Sequence, residues 1–538
     1  MPPLPDRYRR WELTGPGLDH LRLVERRLTE PEPHQLLVRI DACGICFSDI
    51  KIVNLGGDHP RLQGRDLARH PVVMGHETAM TVVAVGSALR DRFAPGERFL
   101  VQADAIYRGE PMAFGYRLDG GFSEYQYLGP ELLDGDEGCY LLPVSPDQGY
   151  AAAALCEPWA CVEASYRYRP RSVPRPGGRR WLIAPQDAPD RLLVWLGTTG
   201  GEPRSLVPSS PGELRDGSFD DIVLVGRARP DFLREVLRRL APGGVFAWCS
   251  PGPEPIPLRV DVGSIHYRGH WMAGSAGVDP AAAYRWERSA ELRPGGSALF
   301  VGAGGPLGQM HLERALSLPE PPAQIVVSQN GGPRFEDLAL RFTDRARRRG
   351  IRFTLLDARA LGEEVYTAAW DATGGRGFDD IVVIVPRVEV IERLFPLLAR
   401  GGGLNLFAGV AIGSEAVLDL TRVAREGVRL WGTSGSTIAD LREIRDRMEA
   451  GALRPDAVVA AVGGLASLRE GLEAVRTSRF VGKTVIYPHL RDLPLMAISE
   501  LAERHPSLRE RLTDGRYWNR EAEAELFRLY GATDGGSG

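Results

Sequence analysis

The chain has 538 residues, 43% hydrophobic and 25% charged, enough for three or four domains with their own cores at roughly 150 residues each. That excludes a peptide or a disulfide-stapled mini-protein, and a formal net charge of -4 supplies no basic field for a nucleic-acid partner. The N-terminus MPPLPDRYRRWEL has no apolar leader segment, no run of about 18 apolar residues follows, and no cysteine framework suggests disulfides, so no membrane partner and a reducing, cytoplasmic setting are expected.

Up to about residue 160 the chain reads as short strands broken by glycine and proline: HQLLVRIDA, PVVMGHETAMTVVAVG, RFLVQADAIY and GFSEYQYL. Such spacing suggests an antiparallel barrel or sandwich. From about 179, apolar strands alternate with Arg-rich amphipathic segments, the pattern of a parallel α/β sheet. This second region repeats itself. FDDIVLVGRARPDFLREVLRRLAPGGVFAWCS from Phe219 matches FDDIVVIVPRVEVIERLFPLLARGGGLNLFAG from Phe378 at an offset of 159, and YRYRPRSVPRPGG from Tyr166 matches YRWERSAELRPGG from Tyr284 at an offset of 118. WLGTTGG near 200 parallels VVSQNGG near 331. A duplicated nucleotide-fold unit is expected.

The copies differ at one loop. In the later copy the strand SALFV runs into Gly302, Ala303, Gly304, Gly305, Pro306, Leu307 and Gly308 before a helical stretch. Glycines there let the backbone approach a pyrophosphate seated on the helix N-terminus. In the earlier copy WLIA leads into PQDAPD, with no glycine. Only the later copy is therefore expected to bind a dinucleotide.

Three fragments carry metal-ligand chemistry. Cys43, Gly44, Ile45, Cys46, Phe47, Ser48, Asp49, Ile50, Lys51 form the first, Gly75, His76, Glu77 the second, and Leu155, Cys156, Glu157, Pro158 the third. A thiolate, an imidazole and a carboxylate from separate segments suit a catalytic zinc with one open position. In this order, ahead of a glycine-rich nucleotide fold, they resemble the zinc-dependent medium-chain dehydrogenases, which include alcohol, sorbitol and threonine dehydrogenases. Further matches are Pro95, Gly96, Glu97, Arg98, then Gly120, Gly121, Phe122, Ser123, Glu124, and the closing strand Gly482, Lys483, Thr484, Val485. The resemblance covers 20 to 170 and 290 to 488.

The resemblance implies an α/β fold: a GroES-like β-barrel catalytic domain plus two Rossmann-like parallel-sheet units, the first lacking the glycine motif. The expected bounds are 1–165 for the catalytic domain, 166–283 for the degenerate copy, 284–440 for the NAD(P)-binding copy, 441–490 for the return to the catalytic domain, and 491–538 for a helical extension. It also implies that Cys46 and His76 ligate zinc, with Glu77 or Glu157 third, Cys156 an alternative and Cys43 a bystander. Asp49 would orient the ligand histidine. Ser48 would begin the proton relay, with Lys51, where many relatives carry histidine, as its base. One catalytic zinc and no structural zinc are expected, since VQADAIYRGEPMAFGYRLDGG has no cysteine.

Cofactor contacts are expected from Gly302, Gly304, Gly305, Pro306, Leu307, Gly308, Ser328 and Arg334. Lys483 would face the pyrophosphate, and among 66 cationic residues it and Lys51 are the only lysines. Absence of an acid after Ser328, with Arg334 nearby, leans toward NADP over NAD. His59, Arg61, Arg65, Arg69 and His70 could hold a phosphorylated or acidic substrate or form a solvated loop. The expected activity is hydride transfer between NAD(P) and a secondary alcohol or ketone of a polyol, cyclitol or sugar-type substrate, closest to the sorbose-phosphate reductase-like branch. The alternatives are a redox-neutral epimerase or lyase that retains its cofactor, and a non-catalytic scaffold. A homodimer is possible, or an internal pseudo-dimer interface between the copies.

Overall fold

The computed structural model describes residues 4–184, 203–205 and 216–531, apart from positions 63, 287 and 492. The chain divides into two compact units, Met1–Glu163 with Gly435–Gly538, and Ala164–Ser434.

The first unit is built on a sheet whose central strands are Lys483–Tyr487, Leu36–Gly44, Glu77–Val85 and Arg98–Val101, in that order. The strand Leu36–Gly44 is buried along nearly its whole length because it has neighbours on both edges: Glu77–Val85 antiparallel on one, and Tyr125–Leu128 and Lys483–Tyr487 on the other. Its register sets Gly44 opposite both Glu77 and Val485. The segments that lead to Cys46 and Glu77, and the closing strand that starts at Lys483, thus meet at one end of one strand. The C-terminal helix Arg520–Tyr530 belongs to this unit: Glu523 on it accepts from Tyr150 N at 2.6 Å and Ala151 N at 2.7 Å.

The second unit holds two parallel sheets. In the first copy the strands run Pro203–Ser205, Arg180–Ile183, Phe219–Val225, Leu240–Cys249, Trp271–Ser275. In the second they run Arg352–Asp357, Gln324–Gln329, Ser297–Val301, Phe378–Val383, Leu398–Leu406, Arg429–Trp431. Parallel strands buried on both faces read as apolar runs, as Ile222–Val225 does after the two aspartates at the head of its strand.

The duplication is visible in side-chain detail. Asp220 and Asp221 clamp the preceding loop: Asp221 accepts from Arg175 N at 2.8 Å and pairs with Arg171, while Asp220 accepts from Arg179 N at 2.8 Å and pairs with Arg175 at 2.6 Å. Asp379 and Asp380 repeat this. Asp380 accepts from Arg293 N at 2.8 Å and pairs with Arg288, and Asp379 accepts from Ser297 N at 2.9 Å and pairs with Arg293 at 2.6 Å. Both strands also carry the same irregularity, between Phe219 and Asp221 and between Phe378 and Asp380. A uniform offset of 159 needs refinement, because Phe219 pairs with Leu240 and Phe378 with Leu398. The offset is 158 from there on, so the first copy has one extra residue between its clamp strand and the next.

The copies join through the strands Pro257–Asp261 and Glu415–Asp419, which pair antiparallel with Arg259 opposite Val417 at the centre. At an offset of 158 each strand meets its own counterpart reversed, the signature of a two-fold, isologous contact. Trp248, Ile256 and Leu258 of the first copy share one apolar cluster with Leu406 and Leu418 of the second.

Candidate metal and cofactor sites

The strand end at Gly44 builds the candidate metal site. Cys46 caps the helix Phe47–Leu55, and Asp49 in its first turn accepts from Cys46 N at 2.9 Å in a reciprocal capping box. This short-range lock fixes the thiol. One candidate ligand atom from each of Cys46, His76 and Glu77 lies within 4.8 Å of the others. Gly44 makes room for them: a Cβ there would lie 2.1 Å from Glu77 Oε2.

Asp49 Oδ1 stands 3.6 Å from His76 Nδ1, and Ser48 Oγ lies 3.3 Å from His76 Nε2. The cluster is polar, with His76 and Glu77 buried and Cys46 partly so, and it has groups left over. Glu77 is fully buried; its Oε1 accepts from Lys483, while Oε2 has no partner, and neither do Asp49 Oδ1 and His76 Nδ1. An unpartnered buried carboxylate oxygen costs free energy unless a cation answers it. That donor set, sulfur, nitrogen and oxygen in one small space, fits zinc.

Lys483 departs from expectation. It is 4% exposed, its ammonium is paired with Glu77, and it lies 3.5 Å from Ile45 O. Burial disfavours its charge, but Glu77, Cys46 and Glu157 outweigh burial and raise its pKa. A buried carboxylate demands a counter-charge, and in this structure the Lys483 ammonium supplies it to Glu77, where a pyrophosphate contact was expected.

Glu157 lies on the helix Cys156–Arg167, outside the triangle of three. Burial, opposed by His76, pushes its pKa up to about 7. Cys156 turns elsewhere: its thiol donates to Ala152 O at 3.4 Å and packs 3.6 Å from Met448 Sδ, which removes it as an alternative ligand. Cys43 is fully buried beside Thr78, and burial raises its thiol pKa.

Lys51 lies half-buried on the same helix as Ser48. Burial, Arg61 and Lys51 together lower His59 to about 4. The arginine cluster is largely committed: Arg61 pairs with Asp104 at 2.5 Å and lies over the Tyr116 ring, and Arg65 donates to the carbonyls of His70, Pro71 and Arg117. Arg69 pairs with Asp66 on the surface.

Two neighbours escaped the sequence reading. The ring of Tyr116 lies 5.3 Å from that of His76, and burial raises its hydroxyl pKa to about 12. Cys161 donates to Glu157 Oε1 at 3.5 Å from one turn further along their helix. The four-residue spacing of Cys161 from Glu157 was the available signal.

In the second copy the strand Ser297–Val301 ends at Gly302, whose φ of 82° favours glycine; a Cβ there would lie 2.3 Å from Val385 Cγ1. Gly302 N donates to Ser328 O at 2.8 Å, and Gly304 N to Gln329 Oε1 at 2.9 Å. Gly305 caps the helix Pro306–Ser317 with Pro306 at its first turn, followed by Leu307, and no side chain bonds the open amides. Gly308 packs against Ala303, where a Cβ would meet Ala303 Cα at 2.3 Å. Arg334, on the helix Pro333–Arg348 beside Gly304, has a buried Nε without a partner, and burial lowers its pKa. Open helix amides, tight glycines and an unanswered guanidinium suit a phosphate-bearing dinucleotide.

The strand pairing sets Ala184 of the first copy at the place of Gly302. The PQDAPD and WLGTTGG segments lie outside the described residues. Among the described residues no helix is long and apolar enough to cross a membrane.

Two protein families match: the alcohol dehydrogenase GroES-like domain over residues 32–133 and the zinc-binding dehydrogenase over residues 363–486. The chain is 25% identical to L-sorbose 1-phosphate reductase of Klebsiella pneumoniae, over 95% of each. It is 24% identical to mannitol-1-phosphate 5-dehydrogenase of Aliivibrio fischeri (strain ATCC 700601 / ES114), over 96% of each. The fold matches 2R,3R-butanediol dehydrogenase from Bacillus subtilis with a TM-score of 0.54 and 16% identity, over 89% of this chain and 99% of that one.

Proposed function

For a chain that belongs to the zinc-dependent medium-chain dehydrogenases, we propose oxidation of a secondary alcohol on a phosphorylated polyol, with the reverse reduction of its ketone, by NAD(P). The observation that carries this is the convergence of Cys46, His76 and Glu77, with Glu77 Oε2 buried and unanswered. Cys46, His76 and Glu77 would hold the metal, and Glu157 stands close enough in charge to influence it. Zinc, when bound, polarises an alcohol oxygen so that the alkoxide forms near neutrality, and the nicotinamide takes the hydride.

The chain's own residues supply the rest. Lys483 holds Glu77 in place and offsets its charge. Asp49 orients His76. Ser48, beside His76, accepts the proton from the substrate hydroxyl, and Lys51, three residues on in the same helix, passes it outward. Gly302 to Gly308 and Arg334 seat the pyrophosphate and adenosine half, with Arg334 favouring the 2′-phosphate of NADP. The phosphorylated substrate class is supported by two relatives named for sugar or polyol phosphates that align along nearly the whole chain.

The test pairs metal analysis with turnover. The purified protein is expected to contain one zinc, and to form reduced nicotinamide faster with mannitol 1-phosphate or a related phosphorylated polyol than with the free polyol. Cys46→Ala and Glu77→Gln should lose the metal, and Ser48→Ala should keep it while turnover falls about 100-fold. Zinc-free protein that still turns over would sink the metal assignment. A pH profile left unchanged by Lys51→Arg would remove Lys51 from the relay.

A further inference from the structure

The first copy presses a pair of aromatic rings into the second. Its helix Val262–Arg268 starts on Asp261, which accepts from Ser264 N at 3.0 Å. Leading out of the paired strand, it carries His266 and Tyr267 to the C-terminal ends of Leu398–Leu406 and Arg429–Trp431. His266 Nδ1 hydrogen-bonds Leu406 O at 2.9 Å, and the His266 and Tyr267 rings meet edge-on with centroids 4.5 Å apart.

The second copy has glycine at both contacts. A Cβ on Gly409 would lie 2.6 Å from Tyr267 Oη and 2.7 Å from His266 Nε2, and one on Gly432 would lie 2.8 Å from His266 Cα. Next to Gly432, Thr433 Oγ1 is buried with no hydrogen-bond partner. His266 is 7% exposed, while Tyr267 keeps 41% of its surface open. The histidine touches both glycines and anchors the pair, and the phenol oxygen lies against Gly409.

The place has a meaning in a parallel sheet. Ligands bind at the carboxyl ends of the strands, across the point where strand order reverses. Here that point lies between Ser297–Val301 and Phe378–Val383. The glycine turn and Arg334 mark the adenosine side, toward Gln324–Gln329. The other half of a dinucleotide then runs over Phe378–Val383 toward Leu398–Leu406. Resting on the dehydrogenase reading above, we infer that Tyr267 of the first copy and Thr433 of the second receive the nicotinamide carboxamide, so that the two copies build one dinucleotide site. A carboxamide offers a carbonyl acceptor and two N–H donors, and the two hydroxyls can each donate or accept.

Calorimetric titration of the full-length protein tests this with two kinds of ligand: NADH and NADPH, and ADP-ribose with its 2′-phosphate, which lack the nicotinamide. Tyr267→Ala is expected to weaken the preferred dinucleotide about five- to tenfold, the worth of one or two hydrogen bonds, and to leave the matching ADP-ribose within about twofold. Tyr267→Phe should reproduce most of the loss, since the hydroxyl carries it, and Thr433→Val should act on the same ligand alone. Equal weakening of both ligands, or of neither, overturns the inference. Wild-type protein that binds neither NADH nor NADPH would instead overturn the dehydrogenase reading.

Discussion

The two nucleotide-fold copies share their foundations and differ in their rims. Both clamp an arginine loop with a consecutive aspartate pair at nearly identical distances, and both lend a strand to the antiparallel pair at their junction. At the strand end, however, the second copy has Gly302 where the first has Ala184. The groups that shape the sheet have been kept through duplication, while the groups that would touch a phosphate remain in one copy. A fold and the residues at its rim can vary separately, and here one chain carries the same fold with two different rims.

Three experiments press on that comparison. The largest effect is expected at the clamps. Asp221 and Asp380 are each buried against an arginine, and removing one member of such a pair costs about 3–5 kcal/mol. Asp221→Ala and Asp380→Ala should therefore destabilise the second unit by similar amounts in urea titrations. A harmless Asp221→Ala would mean that the first copy does not use the clamp.

Next comes the exchange of rims. Gly302→Ala places a Cβ 2.3 Å from Val385 Cγ1 at a positive φ, and dinucleotide affinity should fall by about 100-fold, or about 2.7 kcal/mol. The reciprocal Ala184→Gly should create no second site. A stoichiometry of two cofactors per chain would break the comparison.

The smallest effect concerns acid. His311, on the helix that follows the glycine turn, is fully buried; burial and then Arg314 lower its pKa from 6.5 to about 3, and Tyr166 bonds its Nδ1 at 2.7 Å. Between those values the unfolded chain binds a proton that the native chain does not. Its contribution is thus complete above 6.5 and lost as pH falls toward 3, at about 1.4 kcal/mol per pH unit. His311→Phe should flatten the stability profile between pH 6.5 and 5 by about 2 kcal/mol, read by thermal or urea unfolding at each pH.

Much of this was legible in sequence because it is local or repeated. Cys46 and Asp49 lock through a capping box within four residues, and the glycine turn is read between a strand and a helix. The duplicated FDDIV segments announced the repeated strand, while the arginine clamps on it came only with the structure. What was hidden depends on long-range pairing. Lys483 meets Glu77 because Gly44 pairs with both Glu77 and Val485, and no local rule gives that register. The direction of Cys156 depended on the phase of a helix whose start was unknown: a 100° turn separates it from Glu157, while Cys161 returns to the same side. The strands joining the two copies are short, with only alternate residues buried, and their partners are set by tertiary context.

The central pairing of Arg259 with Val417 has a consequence for how this molecule could change over time. In a symmetric homodimer every substitution at the junction strikes both sides at once, so the halves must remain alike. Tethering both faces on one polypeptide replaces a bimolecular encounter by a high effective concentration that dilution does not lower. The partners are then encoded separately, so one half can carry Ala184 where the other carries Gly302.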